Sequence, residues 1–364
     1  MLYNKIFLLL ASVHCQLTFA AYQLVQDYSG DAFYKGFDFF TDADPTDGLV
    51  QFKSLEEANS TGLAGFIDAG NSSFAIFMGV DTKEVAPQGR ASVRVASTQT
   101  FQHALVIADI SHMPGGVCGS WPAFWMVGAD WPSNGEIDIV EGVNAQAANS
   151  MTLHTGQGAV VSDGKDFTGE LVTPNCDINA PNQPMNAGCS IGDTSNLTFG
   201  SEFNNAGGGV FATEWTSDFI KIWFFPRGSL PENVASGSPA PSDSWGTPNS
   251  LFQGKFNIDD HFRDLQIVFD TTFCGQWAGT VWNSSSCATL APTCEDYVAN
   301  NPQDFTEAYW AINSLQVFQD DTLEESIIAP LKPGTPGTGR PTAPSGPQQK
   351  LRSRSGAAIL PIYV

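Results

Sequence analysis

Short runs along this chain alternate apolar and polar or small residues with a period of two. Ser73–Val80, Ala91–Ala96, Ala104–Ala108, Phe219–Phe225, Asp264–Phe269 and Ser314–Phe318 are the clearest. Each is bounded by Gly, Pro, Asn or Asp clusters, and no long helical pattern separates them. A strand of this kind has one face to bury, so a second layer must cover it. Many such strands without intervening helices predict an all-β fold, a two-sheet β-sandwich or jelly roll. The composition supplies the material: 42% of residues are hydrophobic, only 15% are charged, and Gly (35), Pro (22) and Phe (26) are plentiful in 364 residues. That is enough apolar content for a large core and argues against global disorder. The region 294–310 is the helical exception, with Asn301 as a cap and Pro302 at the first helical position.

The chain divides into three parts. Residues 1–20 read as a signal peptide: Lys5 gives the positive start, Ile6–Ala11 opens the apolar stretch, and Thr18-Phe-Ala20 offers small residues for cleavage. Residues 22–320 show no linker-like break, and 21–328 are expected to form one domain. From 329 to 364 the composition turns Pro/Gly-rich and basic, with Lys332, Arg340, Lys350, Arg352 and Arg354 unopposed by acids. A disordered tail is expected there. Its last apolar residues are too few, and too interrupted by Pro361, for a lipid-anchor signal. No other run is long enough to span a bilayer. The chain is therefore expected to be secreted, extracellular, free of the membrane and monomeric.

Cysteine usage agrees with an oxidising compartment. Cys15 leaves with the signal, and Cys118, Cys176, Cys189, Cys274, Cys287 and Cys294 form an even set. Six cysteines allow 15 pairings; Cys176 with Cys189, and a bridge inside the 274–294 cluster, close the shortest loops. The spacings fit no zinc pattern. Asn59, Asn71, Asn196 and Asn283 each open an N-glycosylation sequon. The net charge of −22 repels phosphate backbones, so nucleic acid is excluded as a partner.

The chemistry concentrates in Glu136-Ile-Asp-Ile-Val-Glu141. Asn134-Gly135 marks a turn, and a strand should follow. Alternation puts Glu136 and Asp138 on one face and Ile137 and Ile139 on the other. Glu141 then falls out of phase. It joins the other acids only if the strand absorbs one extra residue, so the segment demands a β-bulge near Ile139-Val140. Three carboxylates converging beside a cleft raise at least one pKa, which leaves a proton donor beside an ionised partner. A retaining glycosidase needs such a pair, about 5–5.5 Å apart. An exposed acidic edge or a calcium site would use the same residues.

Trp121-Pro-Ala-Phe-Trp125 immediately precedes this strand. Trp121, Ala123 and Trp125 share a face, and indoles stack on the apolar faces of sugar rings as readily as they fill cores. The whole pattern, Trp121–Gly128 followed by Gly135–Gly142, closely resembles glycoside hydrolase family 16. It is similar in particular to the fungal laminarinase-like branch, the endo-1,3(4)-β-glucanases. Tyr28–Phe40, Met151–Thr155 and Phe273–Gly279 extend the resemblance over roughly residues 22–320. Gly156–Val161 departs from it by lacking a cysteine, and the loop 162–208 is long.

The resemblance implies a jelly roll with a concave substrate cleft and retaining endo-hydrolysis of β-1,3 and mixed β-1,3/1,4-glucans, with no cofactor. Glu136 would be the nucleophile, Glu141 the general acid/base, and Asp138 the residue assisting the nucleophile. Trp121, Trp125, His154 and Trp277 would contact the β-glucan. A transglycosylase with the same chemistry, and a non-catalytic glucan-binding module on the same fold, are the alternatives.

Overall fold

A computed structural model describes residues 22–70, 72–162, 164, 166–320, 351–352 and 358–362. The signal-peptide expectation lies outside these residues, as does 321–350. The first ten strands are β1 (Tyr22–Asp27), β2 (Phe37–Phe39), β3 (Val50–Phe52), β4 (Ala64–Gly70), β5 (Ser73–Gly79), β6 (Arg90–Ser92), β7 (Arg94–Ser97), β8 (Ala104–His112), β9 (Ser120–Gly128) and β10 (Glu136–Glu141). The rest are β11 (Ser150–His154), β12 (Glu170–Thr173), β13 (Cys189–Gly192), β14 (Gly209–Trp215), β15 (Ile220–Pro226), β16 (Ser250–Phe252), β17 (Leu265–Phe273), β18 (Tyr309–Asp320), β19 (Leu351–Arg352) and β20 (Ala358–Leu360).

Two large antiparallel sheets face each other, as the period-two runs require. One runs β16-β15-β14-β8-β18-β5-β4-β20-β19, with β1 also paired to β18; the other runs β12-β13-β11-β10-β9-β17-β7-β2. The core lies between them. Phe124 and Met126 of β9, Ile137, Ile139 and Val140 of β10, and Ile267 and Phe269 of β17 meet Val106, Ala108 and Ile110 of β8 and Ile312, Leu315 and Val317 of β18. Phe269 stacks on Phe124 at 4.3 Å and meets the edge of Trp310 at 5.4 Å. The opposite side of the eight-stranded sheet is left to build a site.

Three departures from the expected elements have local causes. The run 91–96 is split between β6 and β7, because β6 leaves the large sheets to pair in parallel with β3. The 294–310 region holds a helix at Cys294–Asn300, capped by Thr293 Oγ1 accepting from Asp296 N–H, and then a separate 3-10 turn at Pro302–Phe305. Asn301 is the N-cap residue of that turn and Pro302 its first position, as expected, and Asn301 donates back to the Tyr297 carbonyl. The stretch expected as a featureless tail contributes β20, which pairs with the edge strand β4. No helix among the described residues is long and apolar enough to cross a membrane.

Three disulfides tie the sheets to their loops: Cys176–Cys189, Cys274–Cys294 and Cys118–Cys287. The first two are the short-loop pairs expected from spacing. Cys274–Cys294 and Cys118–Cys287 pin the segment 275–293 to the end of β17 and to the turn before β9.

Candidate active site

β10 is the centre strand of the eight-stranded sheet's open face, and its entry is fixed by Gly135. That residue has φ +78°, and a Cβ there would fall 2.4 Å from Phe262 and 2.5 Å from the His261 carbonyl oxygen. Only glycine meets both conditions. The pairing of β10 with β9 then starts in register: Glu136 opposite Val127, and Asp138 opposite Trp125. The register slips before the next pair, Val140 with Phe124. The slip is the bulge that the acid spacing demands. Ile139 and Val140 are both fully buried, so two consecutive residues enter the core and Glu141 returns to the open face opposite Ala123.

A bulge leaves backbone groups unpaired, and a buried unpaired group is costly. Asn149 satisfies them. Its Oδ1 accepts from Glu141 N–H at 2.8 Å and its Nδ2 donates to the Ile139 carbonyl at 2.7 Å. Asn149 is 1% exposed. Sequence reasoning missed it, because nothing in the alternation marks a residue that acts through the backbone of a neighbouring strand.

The neighbouring strands complete the face. On β11, His154 lies opposite Glu136 and Thr152 opposite Asp138. On β17, Val268 faces Trp125, Asp270 faces Ala123 and Thr272 faces Trp121. Small Ala123 therefore separates two carboxylates, Glu141 and Asp270, and two indoles flank it along β9.

Three of the four carboxylates at the open face are each held by an indole. Trp121 Nε1–H donates to Glu141 Oε1 at 2.8 Å, and Trp125 Nε1–H donates to Asp270 Oδ1 at 3.1 Å. Trp131 Nε1–H donates to Glu136 Oε2. Trp131 and Asp270 were not singled out by sequence. The turn signal before Gly135 marked Trp131's neighbourhood but gave no reason to read its side chain inward. Trp277 reaches the same face from the disulfide-pinned segment and meets Trp121 edge-on at 5.6 Å. Arg94 of β7 lies over the Trp125 ring at 5.0 Å.

Electrostatics follow from this crowding. Burial pushes the Asp138 carboxyl well above the usual carboxylate range, and the Glu136 charge, a hydrogen bond with Glu136 and the Asp270 charge push it further. Glu141 is likewise raised well above the carboxylate range, by burial first and then by the Asp138 and Glu136 charges. The Trp121 hydrogen bond and His154 oppose the rise. Asp270 is pushed up to about 7 by burial, with Arg94 opposing. His154 Nε2 lies 3.3 Å from Asp138 Oδ2, a contact without hydrogen-bond alignment.

Glu136, Asp138 and His154 place one ligand atom each within 4.8 Å of one another, so this corner has the donor set of a cation site as well as of a proton-sharing triad. A cavity of about 180 Å³ between Tyr22, His103, Trp215 and Ser217 belongs to the other sheet. It is remote from the carboxylates of β10.

A family model described as XgeA-like, catalytic GH16 domain, matches residues 37–318, a span that contains every residue of the open face named above. The chain belongs to glycoside hydrolase family 16. Among its relatives is an endo-1,3(4)-β-glucanase of Arthroderma benhamiae, 46% identical over 90% of this chain and 70% of that enzyme. The endo-1,3(4)-β-glucanase xgeA of Emericella nidulans is 40% identical over 82% of this chain, which spans only 47% of that longer protein. Two solved structures superpose on this family 16 fold. Laminarinase 16A from Phanerochaete chrysosporium, with β-glucans in donor and acceptor sites, has TM-score 0.75 and 39% identity, and covers 82% of this chain and all of its own. An elongating family 16 β-1,3-glucosyltransferase has TM-score 0.74 and 43% identity, with the same coverage. This family 16 chain is accordingly a glycoside hydrolase with a jelly-roll fold.

Proposed function

We propose that this glycoside hydrolase is a secreted, retaining endo-1,3(4)-β-glucanase with Glu136 as nucleophile, Glu141 as acid/base and Asp138 as the residue that assists Glu136. The observation that carries the reading is the bulge. It brings Glu141, whose carboxyl is raised well above the usual carboxylate range by burial, to the face of Glu136, whose carboxylate receives the Trp131 indole N–H. One group is then equipped to give a proton and the other to attack.

Glu136 attacks the anomeric carbon as the glycosidic C–O bond breaks, and the Glu141 proton passes to the leaving oxygen. A glycosyl ester of Glu136 results. Glu141, now ionised, takes a proton from water as the water oxygen attacks the same carbon and expels Glu136. Asp138 shares its proton with Glu136 and releases that hydrogen bond as the ester forms. Trp121, Trp125, Trp131 and Trp277 supply ring faces for glucose units along the trough. The named relatives point to β-1,3 and mixed-linkage glucan, and their fungal sources and the three disulfides support an extracellular setting.

The test is Glu136→Gln assayed on laminarin and on mixed-linkage glucan. Loss of roughly 10⁴-fold or more is expected, with early wild-type products appearing as β anomers by NMR. Substantial residual hydrolysis, or α anomers, rejects the assignment. The 43%-identical glucosyltransferase gives a second reading specific support. On that reading a sugar hydroxyl takes the place of water in the second step, and incorporation of a labelled acceptor oligosaccharide separates the two.

A further inference from the structure

The part of the C-terminal region that folds onto the domain is clasped by a side chain that is also a glycosylation acceptor. Antiparallel β20 places Ile359 opposite Ile67 and Leu360 opposite Phe66 on the edge strand β4. Ile359 is buried with Ile67, Ala75, Phe77 and Ala311. The approach is close: a Cβ on Gly65 would stand 2.4 Å from the Leu360 carbonyl oxygen. Two residues on, the helix α1 (Leu55–Thr61) holds the chain through Asn59. Its Oδ1 accepts from Ile362 N–H and its Nδ2 donates to the Ile362 carbonyl, both at 3.1 Å. Asn59-Ser-Thr is a sequon. The acceptors Asn196 and Asn283 are exposed, and neither side chain makes a hydrogen bond among the described residues.

We propose that Asn59 takes either an N-glycan or the C-terminal strand, and that glycosylation there releases β20 from the sheet edge. The proposal rests on the reading that the chain is secreted. An amide that meets the N–H and the C=O of one residue together must use the hydrogen lying on the same side as its own oxygen. Glycosylation forms the Nδ2–C1 bond as the C1–O bond to the diphosphate of a lipid-linked sugar donor breaks, and one amide proton is lost. The product is a secondary amide. Its substituent sits trans to the carbon chain, on the side of the oxygen, by about 2.5 kcal/mol. The sugar therefore takes the position of the hydrogen that binds the Ile362 carbonyl. The remaining N–H points the other way, so the two-point clasp cannot re-form.

Synthesis order favours the glycan. Asn59 and Ile362 are 303 residues apart. At ~5–20 residues per second the competing strand is made ~15–60 s after the sequon. Released, the segment leaves the backbone groups of β4 unpaired at the sheet edge.

The experiment produces the full chain in a secreting eukaryotic host and assigns sugars to each sequon by peptide mass spectrometry. Hydrogen exchange is then read at residues 358–362. Thr61→Ala removes the sequon and keeps the Asn59 amide; Ile359→Asp breaks the docking and keeps the sequon. Protection at 358–362 is expected in Thr61→Ala. It should fall at least tenfold in molecules glycosylated on Asn59, and remain lost after trimming to a single sugar. Ile359→Asp should match the glycosylated form. Persistent protection with the sugar in place overturns the proposal. So does an unprotected segment in Thr61→Ala, or a bare Asn59 on chains that carry sugar at Asn196 or Asn283. Sugar at none of the sequons rejects the secretion reading and this inference with it.

Discussion

Asp270 lies one strand from Glu141, across Ala123, and its carboxyl is pushed up to about 7 although Arg94 stands beside it. Asp44, Glu136 and Asp138 face it as well. A carboxyl whose folded pKa is raised binds more protons in the folded state than in the unfolded one. Stability then falls as pH rises from about 4 to about 7, by about 1.4 kcal/mol per unit, or roughly 4 kcal/mol for this shift. Asp270→Asn removes that slope while keeping an acceptor for Trp125. Thermal unfolding from pH 4 to pH 8 should show the variant gaining on wild type as pH rises; parallel curves would reject the assignment. Trp121 acts on Glu141 in the opposite sense, because its N–H favours the ionised form. Trp121→Phe should move the alkaline limb of the kcat/KM profile to higher pH, as Glu141 holds its proton longer. An unmoved limb would mean that another group controls it.

The strand β10 shows how a local rule can require a non-local support. Alternation in Glu136–Glu141 demands one extra residue, and that residue is present at Ile139-Val140. Asn149, which fastens the bulge, has no signature in the run. Its role exists only once the turn after Glu141 brings β11 back alongside. Asn149→Ala leaves two buried backbone groups without partners, which costs about 1–3 kcal/mol each. It also frees Glu141 to drift from its position opposite Ala123. Denaturant unfolding should register the loss. kcat should fall by ~10²-fold with a smaller change in KM; a pure KM effect would place Asn149 in substrate binding instead. Trp131 was illegible for a similar reason. Its indole reaches Glu136 because the turn at Asn134-Gly135 folds it over the strand, and a turn signal carries no side-chain direction.

For the molecule as a whole, the alternating runs carried the sandwich and the acid segment carried the bulge at the centre of the candidate site. What escaped the sequence were partnerships between distant segments. β20 finds β4 across most of the chain, and Cys118 finds Cys287 across 169 residues. Closing so long a loop lowers the entropy of the unfolded chain by an amount worth about 5 kcal/mol in the chain-entropy limit. Replacing both cysteines by Ala should cost stability on that order. It should also loosen the segment carrying Trp277, so that KM for long glucans rises more than KM for short ones. Equal KM changes would assign the bridge to stability alone.

The three indole–carboxylate pairs have an optical consequence. The excited state of indole moves charge across its ring, so its emission responds to a full charge at its N–H. Trp121, Trp125 and Trp131 each end on a carboxylate. This protein therefore carries its own fluorescent titration reporter. The pH-dependent part of the intrinsic emission, read against the other six of the nine tryptophans, follows protonation in the trough without substrate, label or turnover.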